Sequence, residues 1–284
     1  MPTPVGSTAS PINLSQQTAY VADYTDMTAD AIYAGDLQGN FWRLDVTGTG
    51  AYDAPTRIAR LVDADGNAQP VTTRPLVEVE PNSSARYVLV GTGRLLADSD
   101  IASSKVQSFY AIVDGVGASG AFYTSASLPT GVKFPVTRND LNADADLLSG
   151  IGSSPASAMG WYVDLPVSGG IAQRVNVDPT ANAGIVSFIG NLPNGSVCSP
   201  SGTGTLYAVS FANGKTVLVD ASGGPLASST PISGILTDLA IEGVDGTLHL
   251  YTGGSTGNVV VAPANLGTAA GLKQLNWRDV PVTN

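Results

Sequence analysis

Short apolar runs recur along the whole chain, each closed by glycine, asparagine or aspartate. Runs of strand length appear at 31–34, 41–46, 87–90, 108–113, 161–165, 174–177, 185–189, 205–211, 216–219, 236–241, 248–252 and 258–261. Between them stand turn signals: Asp65-Gly66-Asn67, Asn194-Gly195, Asn213-Gly214-Lys215, Asp245-Gly246 and Thr256-Gly257-Asn258. The clearest hairpin is Ile32-Tyr33-Ala34-Gly35-Asp36-Leu37-Gln38-Gly39-Asn40-Phe41-Trp42-Arg43-Leu44-Asp45. Aromatic residues run into a Gly/Asp/Asn turn and out of it again. Helix signals are few. The best covers 138–148, with Asp140 placed to cap a short helix. The segment before residue 20, rich in Pro, Ser, Thr and Gln, predicts a flexible stretch over 1–19.

The hairpin has echoes. Tyr33-Ala34-Gly35-Asp36 followed by Gly39-Asn40-Phe41-Trp42 returns as Tyr251-Thr252-Gly253-Gly254 followed by Gly257-Asn258-Val259-Val260. Leu206-Tyr207-Ala208-Val209 before Asn213-Gly214-Lys215 is a weaker copy. Repeated hairpins build propeller blades, and each blade buries a face only against its neighbours. A β-sandwich with repeated hairpins fits the same pattern less well. The expected fold is all-β, a propeller domain over 20–284. At roughly 40 to 45 residues per blade the chain holds about five to six irregular blades, in an incomplete ring.

Composition narrows the function. The 284 residues include 33 Gly and 18 Pro, are 43% hydrophobic and are only 13% charged, which suits many strands joined by turns. A net charge of −10 repels phosphate backbones and anionic lipid, so neither nucleic acid nor a membrane surface is an expected partner. No apolar run reaches the roughly 18 to 20 residues that span a bilayer. Met1 to Ser10 has neither a basic start nor an apolar stretch, so export needs a leader upstream of this chain. One cysteine, Cys198, excludes an internal disulfide, and one histidine, His249, leaves no pair for metal or nucleophilic chemistry. Gly91-Thr92-Gly93 and Gly202-Thr203-Gly204 lack a following Gly-Lys-Ser/Thr and read as turns. Trp42, Trp161 and Trp277 sit in strand-like motifs and read as packing residues.

The phrase from Tyr33 to Asp45 resembles the signature of the type IV pilus tip-associated adhesin family, the PilY/PilC type. Further phrases follow in the family's order: Val88-Leu89-Val90-Gly91-Thr92-Gly93-Arg94, Gln107 to Asp114, Gly160-Trp161-Tyr162-Val163-Asp164-Leu165-Pro166 with Arg174, Asn191-Leu192-Pro193, Cys198 to Tyr207, and Asn276-Trp277-Arg278-Asp279-Val280. The resemblance implies a quinoprotein-like propeller at the C-terminal end of a longer secreted protein. It implies a non-enzymatic role in pilus assembly and attachment at the pilus tip or cell surface, with minor pilins and other pilus components as partners.

The resemblance also implies a calcium loop just before the hairpin, of the form Asp-x-Asx-x-Asp-x-x-x-Asp. Calcium takes six to eight oxygen ligands. Asp26, Thr28 (through its carbonyl) and Asp30 keep the spacing of the second half, and Asp23 and Thr25 stand for the first half in a loop one residue short. Met27 occupies the place of a turn glycine. The plainer reading of these residues is a solvated acidic loop whose aspartates cap turns. A second cluster, Asp140 to Asp146, lacks the midpoint Gly and the distal Glu of a calcium loop and reads as a capped helix start. Two alternatives stand beside the pilus reading: a metal-free propeller scaffold for protein interactions, and a quinoprotein-type dehydrogenase. The second would usually carry an adjacent cysteine pair, which one cysteine cannot supply.

Overall fold

The computed structural model describes residues 5–9, 11–23, 25–48, 51–80, 82–116, 121–151, 159–196, 199, 201–244, 247–255, 257, 259–261 and 265–266. The turn residues Asp245, Gly246, Thr256 and Asn258, the residues Cys198 and Trp277, and the closing motif at 276–280 lie outside them.

Four sheets follow one another along the chain. The first holds β1 (Leu14–Tyr20), β2 (Ala31–Asp36), β3 (Asn40–Asp45) and β4 (Thr56–Arg60), in that order and antiparallel. The second holds β5 (Leu76–Val79), β6 (Arg86–Gly91), β7 (Ser108–Val113), β8 (Asn142–Ala143) and β9 (Gly160–Asp164). Its order is β5-β6-β7-β9-β8, with β8 parallel to β9. A small hairpin, β10 (Val167–Ser168) and β11 (Ile171–Ala172), leads to the third sheet. That sheet is built from β12 (Thr180–Asn182), β13 (Ile185–Pro193) and β14 (Gly202–Ser210); after β15 (Leu218–Val219) comes its edge strand, β16 (Ile232–Ser233). The fourth is β17 (Leu236–Val244), β18 (Thr247–Gly254) and β19 (Val259–Val261), and β20 (Asn265–Leu266) returns to pair with β15. Consecutive meanders packed side by side are the blades of an irregular β-propeller.

Three sequence expectations change. The segment 1–19 is not a loose tail throughout: β1 runs from Leu14 and pairs with β2 through a bulge between Leu14 and Gln17. Its polar composition hid it, because an edge strand needs ladder hydrogen bonds more than an apolar face. The helix expected over 138–148 is a single 3-10 turn, Arg138–Asp140. Thr137 precedes it, and Asp140 reaches back to accept from the Thr137 N–H and hydroxyl, both at 2.8 Å. The backbone then extends into β8, where Asn142 pairs with Trp161; the next sheet claims the residues that local propensity assigns to a helix. Finally, four large sheets, not five or six, occupy the described residues. Sheet two draws strands from residues 76 to 164 because the chain makes a long excursion before β8. That excursion covers sheet one, with Val136 bonded to Ile58 and Arg60 on β4.

One apolar core runs through sheets one to three, from Ala31, Tyr33 and Phe41 past Val88, Phe109 and Trp161 to Phe188 and Phe211. A second, aliphatic core of Ile185, Ile189, Leu206, Leu218, Leu236 and Leu250 joins sheets three and four. Between blades a glycine is met by an aliphatic side chain. A Cβ on Gly35 would lie 2.4 Å from Val71 Cβ, and one on Gly91 would lie 2.3 Å from Val175 Cγ1. The adjoining backbone is bonded too, Val71 N–H to the Asp36 carbonyl and Val175 N–H to the Thr92 carbonyl.

Candidate functional site

The acidic loop hangs between β1 and β2. Asp23 Oδ1 accepts from the Thr25 N–H (2.8 Å) and hydroxyl (2.7 Å). Thr25's hydroxyl and N–H together hold the Asp23 carboxyl below its ordinary value. Asp26 repeats the arrangement, its Oδ1 accepting from the Thr28 N–H and hydroxyl, both at 2.9 Å. Asp30 does something different. Its Oδ2 accepts from the Ala22 N–H at 2.6 Å, its N–H donates to the Tyr20 carbonyl, and its own carbonyl accepts from Val46. Asp30 therefore ties the loop to the end of β1 and to the residue after β3.

Met27 has φ +55° and an exposed side chain. The turn does require left-handed backbone there, which costs a non-glycine residue roughly 1–2 kcal/mol. For a cation, the donor set is all oxygen, which suits calcium, and Asp23 Oδ2, Asp26 Oδ2 and Asp30 Oδ1 carry no hydrogen bond among the described residues. The arrangement as it stands is open: among the described residues no three His, Cys, Asp or Glu side chains converge closely enough to hold a metal. Tyr24, inside the loop, lies outside the described residues.

Behind the loop stands the hairpin, organised on one buried carboxylate. Asp36 Oδ1 accepts from the N–H groups of Gln38 (2.8 Å) and Asn40 (2.9 Å). Its Oδ2 accepts from Asn40 Nδ2 and Trp42 Nε1, both at 2.9 Å. A single aspartate thus closes the turn and fixes the tryptophan on the outgoing strand. Gly39 (φ +76°) is required there, since a Cβ would lie 2.5 Å from the Leu61 carbonyl oxygen. The same carboxylate trick recurs in the turn after β4, where Asp63 Oδ1 accepts from Asp65 and Asn67.

A buried ionic cluster lies against the next blade. Arg43 on β3 meets Asp114, just after β7, at 2.5 Å; the Tyr33 hydroxyl donates to the other Asp114 oxygen at 2.8 Å. Arg86 donates to the Asp114 carbonyl, and its guanidinium lies 4.5 Å from the Tyr20 ring centre and 4.3 Å from that of Phe122. Burial pushes the Asp114 carboxyl up, against the pull of Arg43 and of the Tyr33 hydroxyl. Burial, helped by Asp114, pushes the Tyr33 phenol well above its ordinary value. Sequence reasoning missed this cluster. Arg43, Arg86 and Asp114 were isolated charges in apolar strands, and that pattern is itself the signal for a paired buried charge.

The remaining candidates are structural. Asp144 caps Leu147 with Oδ1, while its Oδ2 is buried without a partner. Burial raises the Asp144 carboxyl above its ordinary value. Trp42 and Trp161 are buried packing residues, and the Trp161 indole N–H reaches the Phe211 carbonyl at 2.8 Å. His249 is partly buried on β18, paired across the ladder with Glu242 and tilted against Tyr251.

Comparison with known proteins fits this architecture. A curated type IV pilus biogenesis factor PilY1 homolog of Xylella fastidiosa is 27% identical over 273 residues, covering 88% of this chain and 21% of its own length. A second homolog of that organism is 30% identical over 209 residues, covering 68% of this chain. Type IV pilus biogenesis factor PilY1 of Pseudomonas aeruginosa (strain UCBPP-PA14) is 26% identical over 242 residues, covering 68% of this chain and 21% of its own length. The chain thus spans about a fifth or less of the curated relatives it matches. The crystal structure of the Pseudomonas aeruginosa PilY1 C-terminal domain superposes with a TM-score of 0.64 at 20% identity, covering 92% of this chain and 62% of that one, and supports the fold. A family model described as the PilY1 beta-propeller domain matches residues 4–149, just over half of the chain and all of the first blade with its loop and hairpin, so the chain belongs to that family.

Proposed function

We propose that this chain is the propeller module of a type IV pilus biogenesis factor. In this reading it acts without catalysis, at the pilus tip or cell surface, as an adhesin domain that contacts minor pilins or other pilus components. The observation that carries the reading is the family match across the first blade, which includes the loop, the Asp36-centred hairpin and its seam with the second blade. The names of the matched relatives support the pilus context. No helix among the described residues is long and apolar enough to cross a membrane. The test is deletion of the gene followed by complementation. Loss of surface pili counted by electron microscopy, restored by the wild-type gene, is the expected result; unchanged piliation in the deletion strain sinks the proposal.

We further infer that the acidic loop responds to calcium. Three carboxylates within eight residues repel one another, and a divalent cation drawing in Asp23, Asp26 and Asp30, with Thr25 and Thr28 as oxygen donors, would neutralise them. Asp30 couples the loop to β1 and to the chain after β3, so a change in the loop has a route into the blade. Calorimetric titration of calcium into metal-stripped protein should give saturable heat that is absent from an Asp26→Ala, Asp30→Ala double variant. Equal heats in both proteins would place any binding elsewhere.

A further inference from the structure

The chain contains two Asn-Gly dipeptides, Asn194-Gly195 and Asn213-Gly214, and both lie in links of the third sheet. The first joins β13 to β14, and the second follows β14 on the way to β15. Asparagine is a thermolabile residue. Its side-chain amide is open to attack by the next backbone nitrogen, and a glycine there offers the least hindered one, having no Cβ. By sequence the two sites are equivalent. The fold treats them in opposite ways.

Asn213 is held. Its Oδ1 accepts from the Lys215 N–H at 3.0 Å, which fixes the side chain. The Gly214 N–H, whose nitrogen would attack, donates to the Ser210 carbonyl at 2.8 Å. The Asn213 carbonyl accepts from the Ile151 N–H at 2.9 Å, so the turn is also tied to the segment before it. Gly214 itself is buried, and a Cβ there would lie 2.1 Å from Asp144 Oδ2. Attack at this site requires both hydrogen bonds to open and a packed turn to rearrange.

Asn194 is not held. Its N–H donates to the Ser201 carbonyl at 2.7 Å, just beyond the last rung of the ladder, Pro193 opposite Gly202. Past that bond the restraints stop. Asn194 and Gly195 are both exposed, and neither the Asn194 side-chain amide nor the Gly195 N–H makes a hydrogen bond among the described residues. The turn also demands glycine at this point. Gly195 has φ +146°, and a Cβ on it would lie 2.5 Å from the Ser199 carbonyl oxygen. The packing that shapes the turn therefore sets an unhindered nitrogen directly after an unheld amide.

We propose that Asn194 is a modification site, at which the folded protein deamidates spontaneously to isoaspartate and aspartate while Asn213 is protected. The Gly195 nitrogen gives its proton to solvent base and bonds to Asn194 Cγ. The bond from Cγ to the side-chain nitrogen breaks, and ammonia leaves with a proton from solvent. Water then opens the resulting succinimide. Cleavage at the former peptide carbonyl routes the main chain through Cγ as isoaspartate, and cleavage at Cγ gives aspartate. The sum is water in and ammonia out, with no oxidant or reductant. Each product carries a carboxylate where a neutral amide stood. It appears between Pro193 and Gly195, two residues that line an apolar pocket of about 270 Å³ with Leu96, Ile101 and Ile235. Isoaspartate also lengthens the main chain at the end of the ladder. The chemistry is independent of the pilus reading and of calcium.

The test is a time course on the full folded chain in mildly alkaline buffer, with a zero-time sample to subtract conversion during digestion. Trypsin releases both asparagines in one peptide, 175–215, so fragment-ion mass spectrometry reads the two sites side by side. Methyl transfer by an isoaspartyl methyltransferase counts the isoaspartate. Asn194 should convert about tenfold faster than Asn213 or more, the factor expected when two hydrogen bonds must open first. In urea the two rates should converge, because the difference belongs to the fold. Asn194→Gln, an exposed substitution checked by thermal melting, should remove most methyl incorporation from the folded protein. Equal rates in the folded chain, faster conversion at Asn213, a gap of the same size persisting in urea, or wild-type methyl incorporation in folded Asn194→Gln overturns the proposal.

Discussion

The seam between the first two blades and the seam between the second and third are built from opposite chemistries. The first is ionic: Arg43, Arg86, Asp114 and the Tyr33 hydroxyl are buried together, with the guanidinium groups laid over Tyr20 and Phe122. The second is aromatic. Phe109, Phe188 and Tyr207 form a stack with ring centres 4.0 and 4.8 Å apart, and Phe211 packs between Tyr87 and the Trp161 indole N–H. Aromatic stacking accommodates small slips between sheets because offset and tilted ring pairs are attractive over a range of centre separations. A buried ion pair tolerates none, since its desolvation is offset only at good geometry. The ionic joint draws Tyr33 and Arg43 from the same blade that carries the acidic loop.

The contrast can be broken most directly at Asp114. Asp114→Ala strands Arg43 in the core and leaves the Tyr33 hydroxyl unpaired, and should cost about 3–5 kcal/mol in urea unfolding. A double variant, Arg43→Met with Asp114→Leu, should lose much less, because the apolar pair removes the desolvation cost together with the attraction. If the single and double variants fall equally, the seam is held by packing and the contrast disappears. Next in size is the joint that both seams share. Gly35→Ala drives a methyl into Val71 and should cost about 1–3 kcal/mol, partly recovered by Val71→Ala. Gly91→Ala against Val175 should behave alike, and a large difference would show that the ionic seam yields less than the aromatic one.

Phe188→Leu should cost less than about 2 kcal/mol and show no dependence on salt, as expected for a volume change in a stack. Met27→Gly should raise stability by up to about 1 kcal/mol by relieving the left-handed residue, and calcium affinity should rise with it. The smallest effect is on pH. Burial pushes the Asp100 carboxyl up, but the Leu96 N–H, Arg94 and the Ala97 N–H outweigh it and hold it below its ordinary 3.8. Its contribution is therefore complete above pH 3.8 and is lost as pH falls through the lower folded value. Amide exchange at Leu96 and Ala97 should quicken in that window, while the stack around Phe188 stays protected.

Most strands were legible because their side chains declare a period. The strand at 108–113 has the expected bounds, and those around Tyr33, Phe41, Val88 and Trp161 are shifted by a residue or two. Strands β1, β4 and β5 were not legible, since Gln16, Gln17, Arg57 and Glu78 break the alternation that half-buried strands usually show. The segment at 174–177 makes only a bridge, Arg174 to Asn191, because it serves as an inter-blade link. The family resemblance, rather than spacing alone, singled out the aspartates of the loop and a glycine-like turn at Met27, and Met27 does take left-handed backbone. The ring of acceptors around Arg174 was not legible, because its partners Arg94, Asp100 and Ser103 are more than seventy residues away.

By itself the sequence determined what local forces determine. Alternating apolar residues made strands, glycine and aspartate made the turns, and the spacing of Asp36, Gly39 and Trp42 made a hairpin closed on one carboxylate. Only the tertiary structure decided which charges are buried together, how many sheets the chain completes among the described residues, and which carbonyls gather around the Arg174 guanidinium. Those outcomes depend on contacts between residues far apart in the chain. Desolvation of a charge is a property of everything packed around it, and no local pattern encodes that surrounding.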